Sequence, residues 1–314
     1  MPTLIRLILA LLPFLCSIPV CFLPLCLGSR AAAASTAVEL AAKQLAARYD
    51  ELVAHVGAGA LARHPVVEAV EENGRMRGDV YGVIERPFRS VAGALGVASH
   101  WCDIVPLHLN MKSCTYEQEN GRELLTLYVG RKYYQEPART SRQEYTFEVK
   151  SASVLLIQIS LRAERGPLRT RNYALDLNAM PVAGGSTFLH FTYSYEYGLA
   201  ARMAMRSYLA TLGRRKIGFS VVGQNGDGTP VHVRGVRGVI ERNAMRYHLA
   251  TQAYLDTLDV EADARFERRI RRWSDLTARY PAQLYELDQQ DYLESKRRER
   301  ANQRELQREL DGER

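Results

Sequence analysis

Cysteine is nearly absent from this chain once its first 34 residues are set aside: of five, Cys16, Cys21 and Cys26 fall in that opening stretch, leaving Cys102 and Cys114. No Cys-x2-Cys or His-x3-His pair occurs, which argues against a metal site of ordinary ligand spacing. A strong charge of one sign is missing as well. The 314 residues carry 42 Lys and Arg against 35 Asp and Glu, or +7, and removal of residues 1–34 takes away Arg6 and Arg30 and no acid, leaving 40 against 35. So mild an excess gives no reason to expect nucleic acid, though it can favour anionic lipid headgroups weakly. The glycines from Gly223 to Gly228 lack the Gly-Lys-Ser/Thr ending of a phosphate-binding loop, and Asn225 to Gly228 lack the spaced carboxylates of a calcium loop. Sustained apolar heptads, which a coiled-coil partner requires, are also lacking.

What the chain does have begins at its start. Arg6 precedes 22 uncharged residues, Leu7 to Gly28, which are followed by Arg30 and the small residues Ala31 to Ser35. The order positive, apolar, small is that of a secretion signal, with cleavage expected after Ala34. A run of that length also spans a bilayer, so a retained anchor through residues 7–28 is the alternative. A lipid-modified cysteine is disfavoured, because the bulky Leu25 precedes Cys26. Signal and anchor alike put the rest of the chain outside the cytoplasm, in the bacterial periplasm or cell envelope, where Cys102 and Cys114 are free to pair.

Ala37 to Gly57 carries Leu40, Leu45, Leu52 and Val53 at helical spacing. Gly57, Gly59 and His64-Pro65 interrupt it, Glu71-Glu72-Asn73-Gly74 is turn-rich, and the main domain is expected to begin near Met76. Asp79 to Glu85 reads as a strand and Phe88 to Val97 as a helix. Leu124 to Val129, Arg142 to Val149, Val154 to Arg162, Arg169 to Leu177 and Thr187 to Tyr197 then read as extended, for six or seven antiparallel strands in all. In the last of these Leu189, Phe191, Tyr193, Tyr195 and Tyr197 share one face, and Phe188, His190, Thr192, Ser194 and Glu196 the other. Gly198 to Leu212 is helical, and one long helix is predicted from Val236 to about Trp273. Pro281 to Arg314 reads as a polar helix or a disordered tail. Residues 261–314 hold 13 basic and 13 acidic residues, and the apolar positions Leu284, Leu287, Tyr292 and Leu293 run out early, so docking is expected to weaken toward the terminus. The chain thus divides into 1–34 as signal or anchor, 35–75 as helix and linker, 76–260 as main domain and 261–314 as a charged helical extension.

The run Val80-Tyr81-Gly82-Val83-Ile84-Glu85-Arg86-Pro87-Phe88 leads from a first strand into a helix opened by proline and phenylalanine, with Phe188 to Glu196 as a late strand and a helix from Val236. From about residue 79 to 260 this order resembles the helix-grip superfamily of START lipid-transfer domains, polyketide cyclases and ring-hydroxylase ligand domains. The segment between Gly198 and Arg237 departs from that order. The resemblance implies an α+β fold, a curved antiparallel sheet packed around a long C-terminal helix, here with N- and C-terminal helical extensions. It also implies a cavity between sheet and helix for an apolar or amphipathic guest, with no cofactor. Leu189, Phe191, Tyr193, Tyr195 and Trp101 are then the candidate ligand-lining residues, although the same aromatics equally suit a filled core.

The densest chemical cluster is His100, Asp103 and His108 around Cys102 and Cys114; with His190 these form a candidate polar site, and no metal is expected. His190 and Glu196 share a strand face, either as a proton-transfer pair or as a solvent-facing one. Arg214-Arg215-Lys216 precede Ile217-Gly218-Phe219, with Arg234, Arg237 and Arg242 beyond, a set that suits phospholipid headgroups or simply water. Cys102 and Cys114, the two thiols left after signal removal, are expected to form an intramolecular disulfide at the helix-to-sheet junction. The function expected is non-catalytic binding or transport of a lipid or other hydrophobic ligand in the cell envelope, with peripheral membrane contact. Alternatives are a scaffold that meets a protein partner through residues 261–314, and an enzyme of the same fold with no marked catalytic residue.

Overall fold

The computed structural model describes residues 27–211 and 213–312, so the run read as export signal or anchor lies, up to residue 26, outside the described residues. The chain divides into two compact units, Met1–Ala37 and Val38–Arg314. In the first, the described part is the opening of helix α1 (Leu27–Val56). Helix α2 (Ala58–Arg63) follows, set off by Gly57 at φ 82°. Strands β1 (Val66–Glu72) and β2 (Arg75–Ile84) then pair across Asn73 and Gly74, at φ 50° and 77°. Asparagine and glycine take such left-handed conformations at little cost, and two in succession make a tight hairpin turn. The turn-rich stretch at residues 71–74 is therefore a hairpin tip, and the sheet opens at Val66 and not near Met76.

Pro87 starts α3 (Phe88–Leu95), and the short α4 (Trp101–Ile104) comes after it. Six strands follow: β3 (Met111–Glu119), β4 (Arg122–Val129), β5 (Ser141–Ala152), β6 (Ile157–Arg165), β7 (Arg171–Val182) and β8 (Ser186–Glu196). Helix α5 (Leu199–Ala210) and an outlying hairpin, β9 (Val221–Gln224) and β10 (Pro230–His232), precede α6 (Gly235–Leu255), α7 (Ala262–Ala278), α8 (Pro281–Leu284) and α9 (Gln289–Leu310). The single helix expected from Val236 to Trp273 is thus two. Beyond Leu255 the Thr257 hydroxyl takes the carbonyls of Ala253 and Tyr254, and the chain turns so that α7 returns against α6, with Trp273 Nε1–H donated to the Arg246 carbonyl.

The eight-stranded sheet runs β1-β2-β8-β7-β6-β5-β4-β3, antiparallel throughout. One face packs on α6, which crosses β1, β2 and β8. A Cβ at Gly78 would lie 3.1 Å from Ala244 and Ile240, and one at Gly82 would lie 2.8 Å from the His248 ring. These two glycines let the helix seat directly on the backbone of β2. Along β8 the alternation matches the sequence pattern: Leu189, Phe191, Tyr193 and Tyr195 bury on the α6 side, while Phe188 joins Leu45, Leu52, Tyr81 and Met180 in a second cluster beneath α1.

The C-terminal segment departs most from expectation. β3 is an edge strand, and α9 covers it with polar side chains. Gln303 accepts from the Cys114 N–H (3.1 Å) and donates to the Cys102 carbonyl (2.9 Å); Gln307 does both for Tyr116. Lys296 donates to the carbonyls of His108 and Met111, and buried Glu299 receives Lys296 (2.6 Å) and Lys112 (2.8 Å). Docking persists past the last apolar residues because it is hydrogen-bonded, so described residues 289–310 are a seated helix and not a fraying tail. Under it, Cys102 and Cys114 form a disulfide with Cα atoms 5.0 Å apart. Among the described residues no helix is long and apolar enough to cross a membrane.

Candidate functional site

Beside α6, the inner face of the sheet is not filled. A cavity of about 850 Å³ lies there, walled by α5, α6 and the strands β7 and β8. One wall is aromatic and apolar: Tyr173 stacks on Tyr195 with ring centres 5.2 Å apart, Tyr193 meets Tyr247 at 5.3 Å, and Met205, Val236 and Val239 complete it. Burial pushes the Tyr173, Tyr193 and Tyr195 hydroxyls above the ordinary tyrosine range, so they stay neutral at physiological pH. Tyr173 shares a hydrogen bond of 2.7 Å with Thr170. Helix α5 forms the cover. It has no fully buried residue; Met205 and Tyr208 line the cavity, and Leu199 and Met203 are 74% and 60% exposed.

The polar part of the lining comes from four separate parts of the chain. Arg242 and Arg246 stand one turn apart on α6, His108 precedes β3, Lys132 follows β4, and Glu286 lies between α8 and α9. Glu286 accepts from Arg246 (2.9 Å) and Lys132 (2.6 Å), with Lys216 at 3.4 Å. Burial alone would raise its carboxyl pKa, but these cations outweigh burial and hold it below the usual range. The His108 ring stacks on Tyr247 at 4.5 Å and accepts the Asn110 N–H at Nδ1. Burial, reinforced by the charges of Arg246 and Lys296, holds this imidazole well below its ordinary pKa, so it is neutral. Burial likewise lowers the pKa of Arg242 and Arg246. An apolar stacking surface beside a fixed set of hydrogen-bond donors is suited to holding an amphipathic molecule in one orientation.

An antiparallel sheet with a long late helix across one face and a cavity beside that helix decides the architecture. It is a helix-grip fold. Solved structures similar to this chain include an aromatase/cyclase from a Streptomyces species, 11% identical over 60% of this chain and 98% of that one, with a TM-score of 0.34. Human StAR-related lipid transfer protein 5 is 12% identical over 55% and 90%, with a TM-score of 0.30, and a conserved protein from Geobacillus kaustophilus 17% over 44% and 85%, with 0.31. No protein-family model and no curated protein matches the sequence. Likeness this distant says nothing of ligand or reaction.

Within this helix-grip frame the residues singled out from the sequence separate. Tyr193, Tyr195 and His108 line the cavity. Leu189 and Phe191 are fully buried in the core, as is Trp101, which donates to the Leu95 carbonyl (2.9 Å). His100 Nδ1 is held at the Ala94 carbonyl (2.7 Å), and Asp103 pairs with Arg269 (3.0 Å) and Arg300 (2.9 Å), both outside the lining. His190 lies on the outer face, bonded to Asp79 at 2.8 Å, whereas Glu196 pairs with Arg171 at 3.0 Å, so the two do not form a proton-transfer pair. Among the described residues no group of three His, Cys, Asp or Glu is placed to hold a metal ion.

Sequence reasoning missed Tyr173, Met205, Arg246, Tyr247 and Glu286, and took Arg242 for part of a surface charge run. One signal was present: α6 holds alanine, methionine and leucine on all sides, so charges at 242 and 246 had to be buried with them. Nothing local marks Glu286, which meets Arg246 across 40 residues.

Proposed function

We propose that this chain binds one amphipathic, largely apolar molecule in the cavity beneath α5 and carries it unchanged. The cavity is the observation that carries this reading. At about 850 Å³, lined by tyrosines and by hydrogen-bond donors, it falls in the range of small-molecule sites, roughly 300–1,000 Å³, where a filled core would leave no such volume. Helix α5 is the entrance in this reading. Its exposed Leu199 and Met203 stand with Arg202 and Arg206, and Arg214 and Arg215 lie just past its end, a combination suited to resting on an anionic lipid surface while a guest passes. We place the protein in the cell envelope, exported by residues 1–34, a location that the Cys102–Cys114 disulfide supports. A scaffold role for residues 261–314 has less support, because one face of α9 is already occupied by β3.

Organic extraction of the purified protein followed by mass spectrometry tests the reading. A stoichiometric apolar compound is expected, and its loss from a Met205→Trp variant, in which the larger side chain occupies the cavity. A wild-type protein that comes out empty and takes up no neutral apolar dye would sink the reading.

A further inference from the structure

The polar wall of the cavity is rich in donors and short of negative charge. Six cationic side chains line the cavity, Arg131, Lys132, Arg202, Arg206, Arg242 and Arg246, against two carboxylates, Glu71 and Glu286. Both carboxylates are engaged: Glu71 accepts from Tyr197, and Glu286 serves Lys132, Lys216 and Arg246 together. Three cations on one acid leave charge uncompensated. Arg242 is 2% exposed with no ion pair among the described residues; it donates to the neutral Ile217 carbonyl (3.0 Å), neighbours the Tyr208 hydroxyl, and feels Glu286 and Glu241 without direct contact.

Two buried donors in the same wall have no hydrogen bond of good geometry. One is Arg246 Nε–H, on a residue 3% exposed. The other is His108 Nε2, on a residue 2% exposed, with the Asn243 amide the polar group next to it. Because His108 Nδ1 accepts the Asn110 N–H, the proton of the neutral ring sits on Nε2, which makes it a donor. Buried arginine charge and unpaired donors are both costly unless something neutralises and accepts from them. A neutral alcohol or amide head can do the second and not the first. A carboxylate or phosphate does both, with charge-assisted hydrogen bonds to guanidinium groups.

We infer that the guest is an amphipathic anion whose carboxylate or phosphate head sits against Arg242, Arg246 and His108, with its apolar body along Tyr173, Tyr193 and Tyr195. This rests on the cavity reading above and narrows it to one chemical class.

The experiment is displacement of the neutral dye Nile red from the purified protein by laurate, dodecyl phosphate and dodecanol, three compounds with one tail, each below its micelle concentration. At least one of the two anions is expected to bind tenfold or more tightly than the alcohol, and the tighter of the two identifies the head as carboxylate or phosphate. Arg242→Gln should bring that anion to the level of the alcohol and leave the alcohol unchanged. Should that buried replacement fail to fold, Lys132→Gln, at a side chain 32% exposed, is expected to cost several-fold for the anion alone. Lys150→Gln, at an exposed residue outside the cavity lining, should change nothing. Equal or tighter binding of dodecanol overturns the anionic head and leaves the cavity reading standing. Failure of the dye and all three compounds to bind overturns both.

Discussion

Gly82 is a position where the absence of a side chain sets the geometry. A Cβ there would meet the His248 ring at 2.8 Å, with the ring itself buried and Nδ1 unpaired. Burial holds that imidazole at about 4, so it is neutral and packs as an apolar ring. Gly82→Ala therefore presses one carbon onto a ring with no room to yield, and is expected to cost about 1–3 kcal/mol. A urea midpoint that falls with unchanged slope checks this; an unmoved midpoint would show that α6 can shift off the strand. Lys296 offers a second test. Its side chain is 4% exposed; burial, opposed by Glu299 and reinforced by Lys112, pulls its pKa from 10.5 to about 8. A folded pKa below the unfolded one means that the unfolded chain holds the extra proton between pH about 8 and about 10, so stability rises with pH across that window. Lys296→Met should flatten the rise between pH 8 and 9.5 in chemical unfolding, and an identical slope in both proteins would contradict it.

At the scale of elements, α9 and β3 are the instructive pair. A helix of mean composition Gln, Arg and Glu carries no stripe that announces a buried face, yet its Gln303 and Gln307 take the edge amides and carbonyls that a further strand would otherwise occupy. The Gln303→Ala, Gln307→Ala double variant should lose about 2–4 kcal/mol, from leaving buried backbone groups unsatisfied. Amide hydrogen exchange is expected to quicken at Cys114 and Tyr116 first; unaltered protection there would mean that α9 does not hold the edge. The strands were legible because Leu189, Phe191, Tyr193 and Tyr195 repeat with the period of a pleated chain. β1 was not, since Val66–Glu72 alternates glutamates with small and branched residues and shows its partner only through the Asn73-Gly74 tip.

Across the whole molecule, the disulfide ties the end of the helical insertion to the edge strand that α9 covers. Intact mass with and without reduction should differ by two hydrogen atoms, and the Cys102→Ser, Cys114→Ser double variant should lose on the order of 2–3 kcal/mol in thermal unfolding, as closure of a short loop gives. Two thiols that alkylate freely in the denatured, unreduced protein would refute the bond.

Period and punctuation, which act between residues close along the chain, were enough to read an α+β protein with a meander of antiparallel strands and a long late helix, and counting thiols was enough to pair Cys102 with Cys114. The cavity was not readable in that way. Its walls bring Lys132, Tyr193, Met205, Arg246 and Glu286 together from five elements or their ends, and whether tyrosines on a sheet face fill a core or line a space depends on where α6 comes to rest. Tertiary packing decides that, because Gly78 and Gly82 draw the helix onto β2 and leave the sheet beside it uncovered. The long-range pairing of charges is settled by the same event: an arginine is read as surface or as site only once the fold has taken water away from it.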